Sequence, residues 1–584
     1  MNPRAGCRRQ PNEIPIRMIS TTQCLRYLRS RFLVLLFPFL LCLTGILGLQ
    51  WVAGAFDAPF RSHSDAPAHA VTSILVRNYL ADGLPAPPVE YARKLYESYP
   101  RVAIGYWPPF FYGVAGLWLL TFGVSKASFV SLYAVLGALL CVLLWESLRA
   151  RVGRGGAGFA VLACILLITF SNSSTTTMLE LPLALFVYAA CLTLSRYIVS
   201  PVLPLSLLFA LLSSAAILTK GNGFCLALLP PIAFLIAGKL RLLLTWRLWL
   251  GALLVALLTV PWFWWFATAT TSHFSGRSAT NYLFVAVPRY LAFLLPSYGV
   301  GLCALALLGL VVILLNSVER SRAALPPRIH LLRKSEADWA FWAAMAAAPP
   351  AFLLFHVLTP SGIEPRYWYT VLGPVCVLAA CGFWCVVQVA AQKLTSAKPA
   401  LRLAALLLIA VLAVDLWFSM GANRILHPKE MSDFADWALE RTRILNSSVL
   451  ICCGGEVEGE FIAEFAVRNP TPPPGFRILR ASKSLPYLGG LRPANTAQGL
   501  APRTHAAGHL EDLDLAMVVL LSRDSESAAR EVSGARLMIE QHAEKWERLV
   551  APSFDFFPAN SPFLVYRRRE TAMGSQSATP QSTP

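Results

Sequence analysis

The chain returns repeatedly to apolar runs of about twenty residues, beginning with Phe32 to Val52. A helix rises 1.5 Å per residue, so about 20 apolar residues cross the hydrocarbon core of a bilayer. Backbone amides have no water partner there, which leaves helices and closed barrels as the spanning structures. Runs this long suit helices, because a barrel strand needs only about 9–11 residues. Further runs fall at about 127–148, 156–172, 179–196, 204–220, 223–238, 248–267, 291–315, 339–358, 367–391 and 402–420. Charged residues make up only 14% of the chain, against roughly 25% in soluble proteins. The expected fold class is an α-helical polytopic membrane protein with about eleven transmembrane helices.

Charge sets the expected orientation. The net charge of +18 sits largely in short clusters between apolar runs, the pattern of positive-inside loops rather than of a nucleic-acid binder. The N-terminus carries Arg4, Arg8, Arg9 and Arg17 before a run longer than a signal-peptide core, which reads as a signal-anchor. The segment from Tyr106 to Gly123 is short and opens on Pro108 and Pro109. Read as re-entrant or interfacial, it leaves "RARVGR" (Arg149 to Arg154), "KLRLLLTWR" (Lys239 to Arg247) and the loop Glu319 to Lys334 on the cytoplasmic side. The expected localisation is the inner (cytoplasmic) membrane, N-terminus cytoplasmic and C-terminal part extracytoplasmic.

This gives four parts: a basic cytoplasmic segment 1–30, a transmembrane domain 31–421 with a large first external loop 53–125, an extracytoplasmic domain 422–570, and a disordered tail 571–584. The third part reads as α/β. "SSVLICCGG", "LAMVVLLS" and "PFLVYRRR" are expected strands; "EFIAEFAVR" and "SAAREVSGARLMIEQHAEKWERL" are expected helices. Most cysteines lie inside apolar runs as small hydrophobes, and no metal-ligand spacing occurs, so no cofactor is indicated.

Polar residues gather at the outer ends of the spans. Ser64-Asp65-Ala66-Pro67 is a helix start, followed by Val71, Ile74, Leu75 and Tyr79 at helical spacing. The expectation is an amphipathic helix lying on the outer surface, with Asp65 either a cap or a functional acid. Glu180 stands one residue inside an apolar run, where a carboxylate needs a partner or a wet cavity. Lys220 and Arg366 lie at span ends, where snorkelling is the simpler explanation. Together with Arg277 and Arg289 they offer cations for a phosphate. Asp65 and Glu180 are the acids placed to accept a proton from a hydroxyl, and such a cavity suits a substrate with a lipid tail and a charged head.

At these residues the chain resembles the GT-C glycosyltransferases, in the branch of the protein O-mannosyltransferases and aminoarabinose lipid A transferases. The likeness rests on "SDAPAHAVTSILVRNYLADG", "GYWPPFFYGVAGLWLLTFG", "MLELPLALF", "ILTKGNGFCLALLPP" and "PRYWYTVLGP", spread over roughly residues 30–420. It implies transfer of a sugar from a polyprenyl-phosphate donor to a lipid, glycan or protein acceptor, with inversion and Asp65 as base. Glu180 would then help position a substrate, and His69, Lys220, Arg277, Arg289, Arg366 and Tyr367 would form the binding set. The family branch usually works without a divalent metal. Asp65 precedes Ala66 where the family often has Asp-Glu, and no basic residue stands beside Trp107-Pro108. Two other functions stay open on sequence alone. A flippase or transporter of lipid-linked saccharides would place ionisable groups at mid-membrane, and an envelope scaffold would work through its C-terminal part.

Overall fold

The computed structural model describes residues 21–58, 65–103, 105–268, 279–321, 335–393, 430–441, 448–453, 455–481, 515–521, 543–549 and 563–569, with a few single positions between them. Helix α1 (Thr21–Val52) leads to α2 (Ala66–Ala81), α3 (Pro88–Ser98) and α4 (Phe110–Phe122). Then come α5 (Lys126–Leu148), α6 (Gly153–Leu166), α7 (Ile168–Thr175), α8 (Glu180–Val199) and α9 (Leu203–Ile217). The next are α10 (Leu229–Ala237), α11 (Trp246–Trp265), α12 (Ala279–Ala292), α13 (Leu294–Tyr298) and α14 (Val300–Ser321). Last in this part are α15 (Glu336–Leu358) and α16 (Leu372–Lys393).

Among the described residues, seven helices are long and apolar enough to cross a membrane, or eight if α6 and α7, bent by 58°, are one broken span. The chain is therefore a helical, multi-pass membrane protein. The helices follow the apolar runs, but the expected count of about eleven spans is not reached among the described residues. The run expected from 291 begins its span only at Val300, because Gly299 takes a φ of +76° and ends the short α13. The run 402–420 lies outside the described residues. Leu203–Ile217 and Gly221–Ala237 are shorter apolar helices, as is Phe110–Phe122.

Lipid-facing and core-facing helices differ in what they bury. Trp246 and Trp249 at one end of α11, and Trp264 and Trp265 at the other, are all exposed, forming an aromatic anchor at each end of the helix. By contrast, α14 and α16 touch backbone to backbone at Gly309 and Gly382. A Cβ added at Gly309 would stand 2.1 Å from the Leu378 carbonyl oxygen, and one at Gly382 2.0 Å from that of Leu305. Small residues permit this approach, which replaces the missing hydrophobic drive inside lipid with close packing.

Three expectations are corrected here. Helix α2 does not lie on the surface: Ala66 to Leu75 are all buried, packed against α4 and the C-terminal segment. Asp65 does occupy its N-cap, but the carboxylate makes no capping hydrogen bond. In the C-terminal part, "WERL" is strand β4 (Trp546–Leu549) rather than the end of a helix.

That part contains α17 (Glu430–Arg441) and α18 (Gly455–Arg468) with β1 (Ser448–Cys452), β2 (Arg477–Arg480), β3 (Leu515–Leu521), β4 and β5 (Phe563–Arg568). The sheet order is β2-β1-β3-β5-β4, parallel across the first three strands and antiparallel across the last two. Its hydrophobic core is continuous with α2: Val71, Ile74 and Leu75 pack with Phe461, Ile462 and Phe465 of α18. Polar clasps reinforce the seam, with Asn78 Nδ2 donating to the Pro470 carbonyl at 2.6 Å and Lys126 paired to buried Glu464 at 2.8 Å.

Gly382→Leu should abolish the α14–α16 contact, because the clash is with backbone and no side chain can move aside. The expected result is loss of monodisperse protein on size-exclusion chromatography in detergent, whereas Gly155→Leu, at a glycine with open space around it, should behave as wild type.

Candidate active site

Four segments far apart in sequence converge on one ionic cluster. Asp65 stands at the N-terminus of α2, with Ala66 and Pro67 opening the helix. Glu180 is the first residue of α8, where the helix dipole favours a carboxylate. Lys220 precedes the short 3₁₀ helix Gly221–Ala227, and Arg366 lies in the 3₁₀ helix Pro365–Val371.

Local structure explains each placement. The turn at Lys220 folds back on α9: Lys220 N donates to the Ala216 carbonyl at 3.0 Å, and Thr219 Oγ1 to that of Ala215 at 2.7 Å. Gly223 allows this, since a Cβ there would lie 2.6 Å from Ala216 carbonyl carbon. Thr177 Oγ1 donates to the Ala66 carbonyl at 2.9 Å, tying the segment before Glu180 to the start of α2. The helix bearing Arg366 is fixed by Tyr298, whose hydroxyl donates to the Trp368 carbonyl at 2.6 Å, and by Trp368 Nε1 donating to that of Tyr290 at 2.9 Å.

Within the cluster, Lys220 Nζ lies 2.5 Å from Glu180 Oε1. Arg366 reaches Asp65 Oδ2 at 2.9 Å through Nη2, Glu180 Oε1 at 3.7 Å and Glu364 Oε2 at 2.5 Å through Nε. Glu180 and Lys220 are buried, while the side chains of Asp65 and Glu364 retain 22% and 36% exposure. The cluster is thus closed below and open above. Three carboxylates meet Lys220 and Arg366, and the charge of Asp65 also acts on the Arg101 guanidinium. Glu180 Oε2 is buried and takes no hydrogen bond from any described residue. Two ring contacts complete the arrangement, with Lys220 Nζ 5.2 Å and the Arg366 guanidinium 5.9 Å from the Tyr367 ring centroid.

His69 lies one turn beyond Asp65 on α2, and its amide donates to the Asp65 carbonyl at 2.9 Å. Its ring is buried, shares a 2.7 Å hydrogen bond through Nδ1 with the Tyr112 hydroxyl and meets Trp107 edge to face at 4.5 Å. Burial lowers its pKa to about 3, outweighing the pull of Asp65 and Glu180, so the imidazole is neutral at neutral pH. Such a ring supports α2 from beneath.

The structure brings Asp65, Glu180, Lys220, Arg366 and Tyr367 into one site, with His69 under it. Arg289 is not part of it: it is exposed on α12 and has no ion pair among the described residues. Arg277 lies outside the described residues. Lys94 is exposed and pairs with Glu90 at 3.8 Å. Glu364 was not singled out from sequence, although an acid two residues before Arg366 at a span end was a usable signal. Among the described residues, no group of three or more His, Cys, Asp or Glu could hold a metal ion.

No family model matches the chain, and no curated protein matches its sequence. Solved structures do. ArnT from Cupriavidus metallidurans bound to undecaprenyl phosphate aligns over 91% of this chain and 98% of its own, with 14% identity and a TM-score of 0.51. Its apo state aligns over 90% and 97% with 15% identity and a TM-score of 0.48. The oligosaccharyltransferase AglB from Archaeoglobus fulgidus, in complex with an inhibitory peptide and a dolichol-phosphate, aligns over 82% and 69% with 12% identity and a TM-score of 0.45. The chain has the fold of ArnT.

A His69 held neutral gives acid sensitivity of known sign. The unfolded chain binds its proton near pH 6.5 and the folded chain only near 3, so stability is complete above about pH 6.5 and falls with pH below it. Melting temperatures in detergent at pH 7.5 and 4.5 should differ more for wild type than for His69→Phe. Equal acid sensitivity of the two proteins would remove His69 from this role.

Proposed function

We propose that the chain is a membrane glycosyltransferase that moves a sugar from a polyprenyl-phosphate-linked donor to an acceptor on the outer face of the cytoplasmic membrane. The acceptor is a lipid, glycan or protein, and the anomeric centre is inverted. The observation that carries this reading is the cluster itself: an acid with solvent access, joined through one arginine to a buried Glu–Lys pair. The fold likeness to ArnT, whose matched structure holds undecaprenyl phosphate, supports the class of donor.

The chemistry follows from charge. Asp65 takes the proton of an acceptor hydroxyl as its oxygen attacks the anomeric carbon. The bond from that carbon to the donor phosphate breaks, and its electron pair leaves with the phosphate. The departing phosphate gains negative charge, which Lys220 and Arg366 are placed to stabilise. Before donor binding, Arg366 is occupied by Asp65, Glu180 and Glu364. A phosphate competing for that guanidinium releases Asp65, so the base becomes available only when the donor is present. Glu180, paired to Lys220, keeps the ammonium at the site.

The same reading carries the topology. About eleven spans run through residues 31–421, including the short helices Leu203–Ile217 and Gly221–Ala237 and the run 402–420. The basic segment 1–30 is cytoplasmic, and loop 53–125 and the α/β domain 422–570 are extracytoplasmic; the tail 571–584 lies outside the described residues. Positive-inside loops set this orientation.

The test is purified protein with a panel of polyprenyl-phosphate sugars, following acceptor-dependent release of polyprenyl phosphate. Asp65→Asn should lower turnover at least about 10²-fold with the fold retained, since the Asp65 side chain caps nothing and an Asn oxygen can still accept from Arg366. Donor binding should hold or tighten, because the uncharged side chain competes less for that guanidinium. Turnover near normal in Asp65→Asn would move the base to Glu180.

A further inference from the structure

His356 plays no part in the chemistry above, yet it is held as firmly as any residue near the site. It lies near the C-terminal end of α15 and is 1% exposed. Its ring is enclosed by Phe352 at 4.4 Å, Phe355 at 5.1 Å, Tyr367 at 5.2 Å and Tyr290 at 5.4 Å between centroids. Two tyrosines of α12 fix it from one side: Tyr282 donates its hydroxyl to the His356 carbonyl at 3.2 Å, and the Tyr290 hydroxyl faces Nδ1 at 3.5 Å.

Of these neighbours only Tyr367 is nearly parallel to the imidazole, at 22°. The same Tyr367 ring receives the Lys220 ammonium and the Arg366 guanidinium. An aromatic face is electron-rich and its edge electron-poor, so attraction of a cation depends on how the ring is turned. Tyr367 sits on a short 3₁₀ helix and is only partly buried, so its backbone alone does not set that angle.

We infer that His356 is a positioning residue: it orients Tyr367 and through that ring holds Lys220 and Arg366 ready for the phosphate of a lipid-linked donor. This rests on the donor assignment proposed above. When phosphate draws Lys220 and Arg366 away from Glu180 and Asp65, the Tyr367 face is the contact that remains. His356 touches neither substrate nor cation, so its effect is on donor affinity and not on the proton transfer at Asp65.

Binding of undecaprenyl phosphate to the full-length protein in detergent, measured alongside turnover, tests this. His356→Ala should weaken binding roughly three- to thirtyfold, the size of one or two cation–π contacts, with kcat little changed. His356→Phe should restore binding to within about twofold of wild type, because a phenyl ring keeps the stack and Nε2 takes no hydrogen bond from any described residue. Tyr367→Leu should show the same loss, and adding His356→Ala to it should cost nothing more. Affinity unchanged in His356→Ala, no rescue by Phe, or additive losses in the double variant would each overturn the assignment. Should His356→Ala fail to fold, unchanged affinity in Tyr367→Leu overturns it equally. Wild type that does not bind undecaprenyl phosphate would overturn the donor reading and this inference with it, whereas binding by wild type and His356→Ala alike would overturn only the role of His356.

Discussion

A single guanidinium holds the functional end of this protein together. Arg366 contacts Asp65 from the segment between α1 and α2, Glu180 from the start of α8 and Glu364 from its own segment. Desolvating charged groups is costly, and removing one partner of a buried pair leaves the other uncompensated at about 3–5 kcal/mol. Withdrawing Arg366 would take a cation from Asp65, Glu180 and Glu364 at once. In the proposed reaction, Asp65 and the donor phosphate are exchangeable occupants of that guanidinium. Positioning and reactivity therefore follow from the same contact.

The scaffold serves that contact by joining segments that the membrane would otherwise keep apart. Thr177 clasps the start of α2 to the approach of α8, and the Phe110 amide donates to the Leu218 carbonyl at 3.0 Å, fixing α4 to the end of α9. On the far side of α2, the C-terminal sheet and α18 close over Val71, Ile74 and Leu75. Asn78 and Tyr99 reach the carbonyls of Pro470 and Asn469. The C-terminal part is thus a wall of the loop that carries Asp65 rather than an appendage.

Much of this was legible in the sequence, for identifiable reasons. Asp65, Glu180, Lys220 and Arg366 stood out because ionisable groups at the edge of apolar runs need partners, though which acid meets which base was not readable. Arg289 failed as a candidate because a helix turns about 100° per residue: Tyr290 faces inward, which turns its neighbour out. Helix α2 was read as surface-lying because Val71, Ile74 and Leu75 form one stripe. Its other face is also buriable, being built of Ala66, Ala68 and Ala70 with Thr72 and Ser73 returning their hydroxyls to the carbonyls of Ala68 and His69. "WERL" continued a helical pattern in sequence and became a strand because β5 offers it a ladder partner, a tertiary effect that local propensity does not carry. Glu364 carried a signal of the same kind, an acid two residues before Arg366 at a span end.

The exchange at Arg366 is open to direct observation. A structure of the full-length protein with undecaprenyl phosphate bound should place a phosphate oxygen against Arg366 or Lys220, with Arg366 Nη2 and Asp65 Oδ2, now 2.9 Å apart, separated beyond about 4 Å, the limit of an ion pair. A bound lipid phosphate lodged elsewhere, with the Arg366–Asp65 pair intact, would contradict the account.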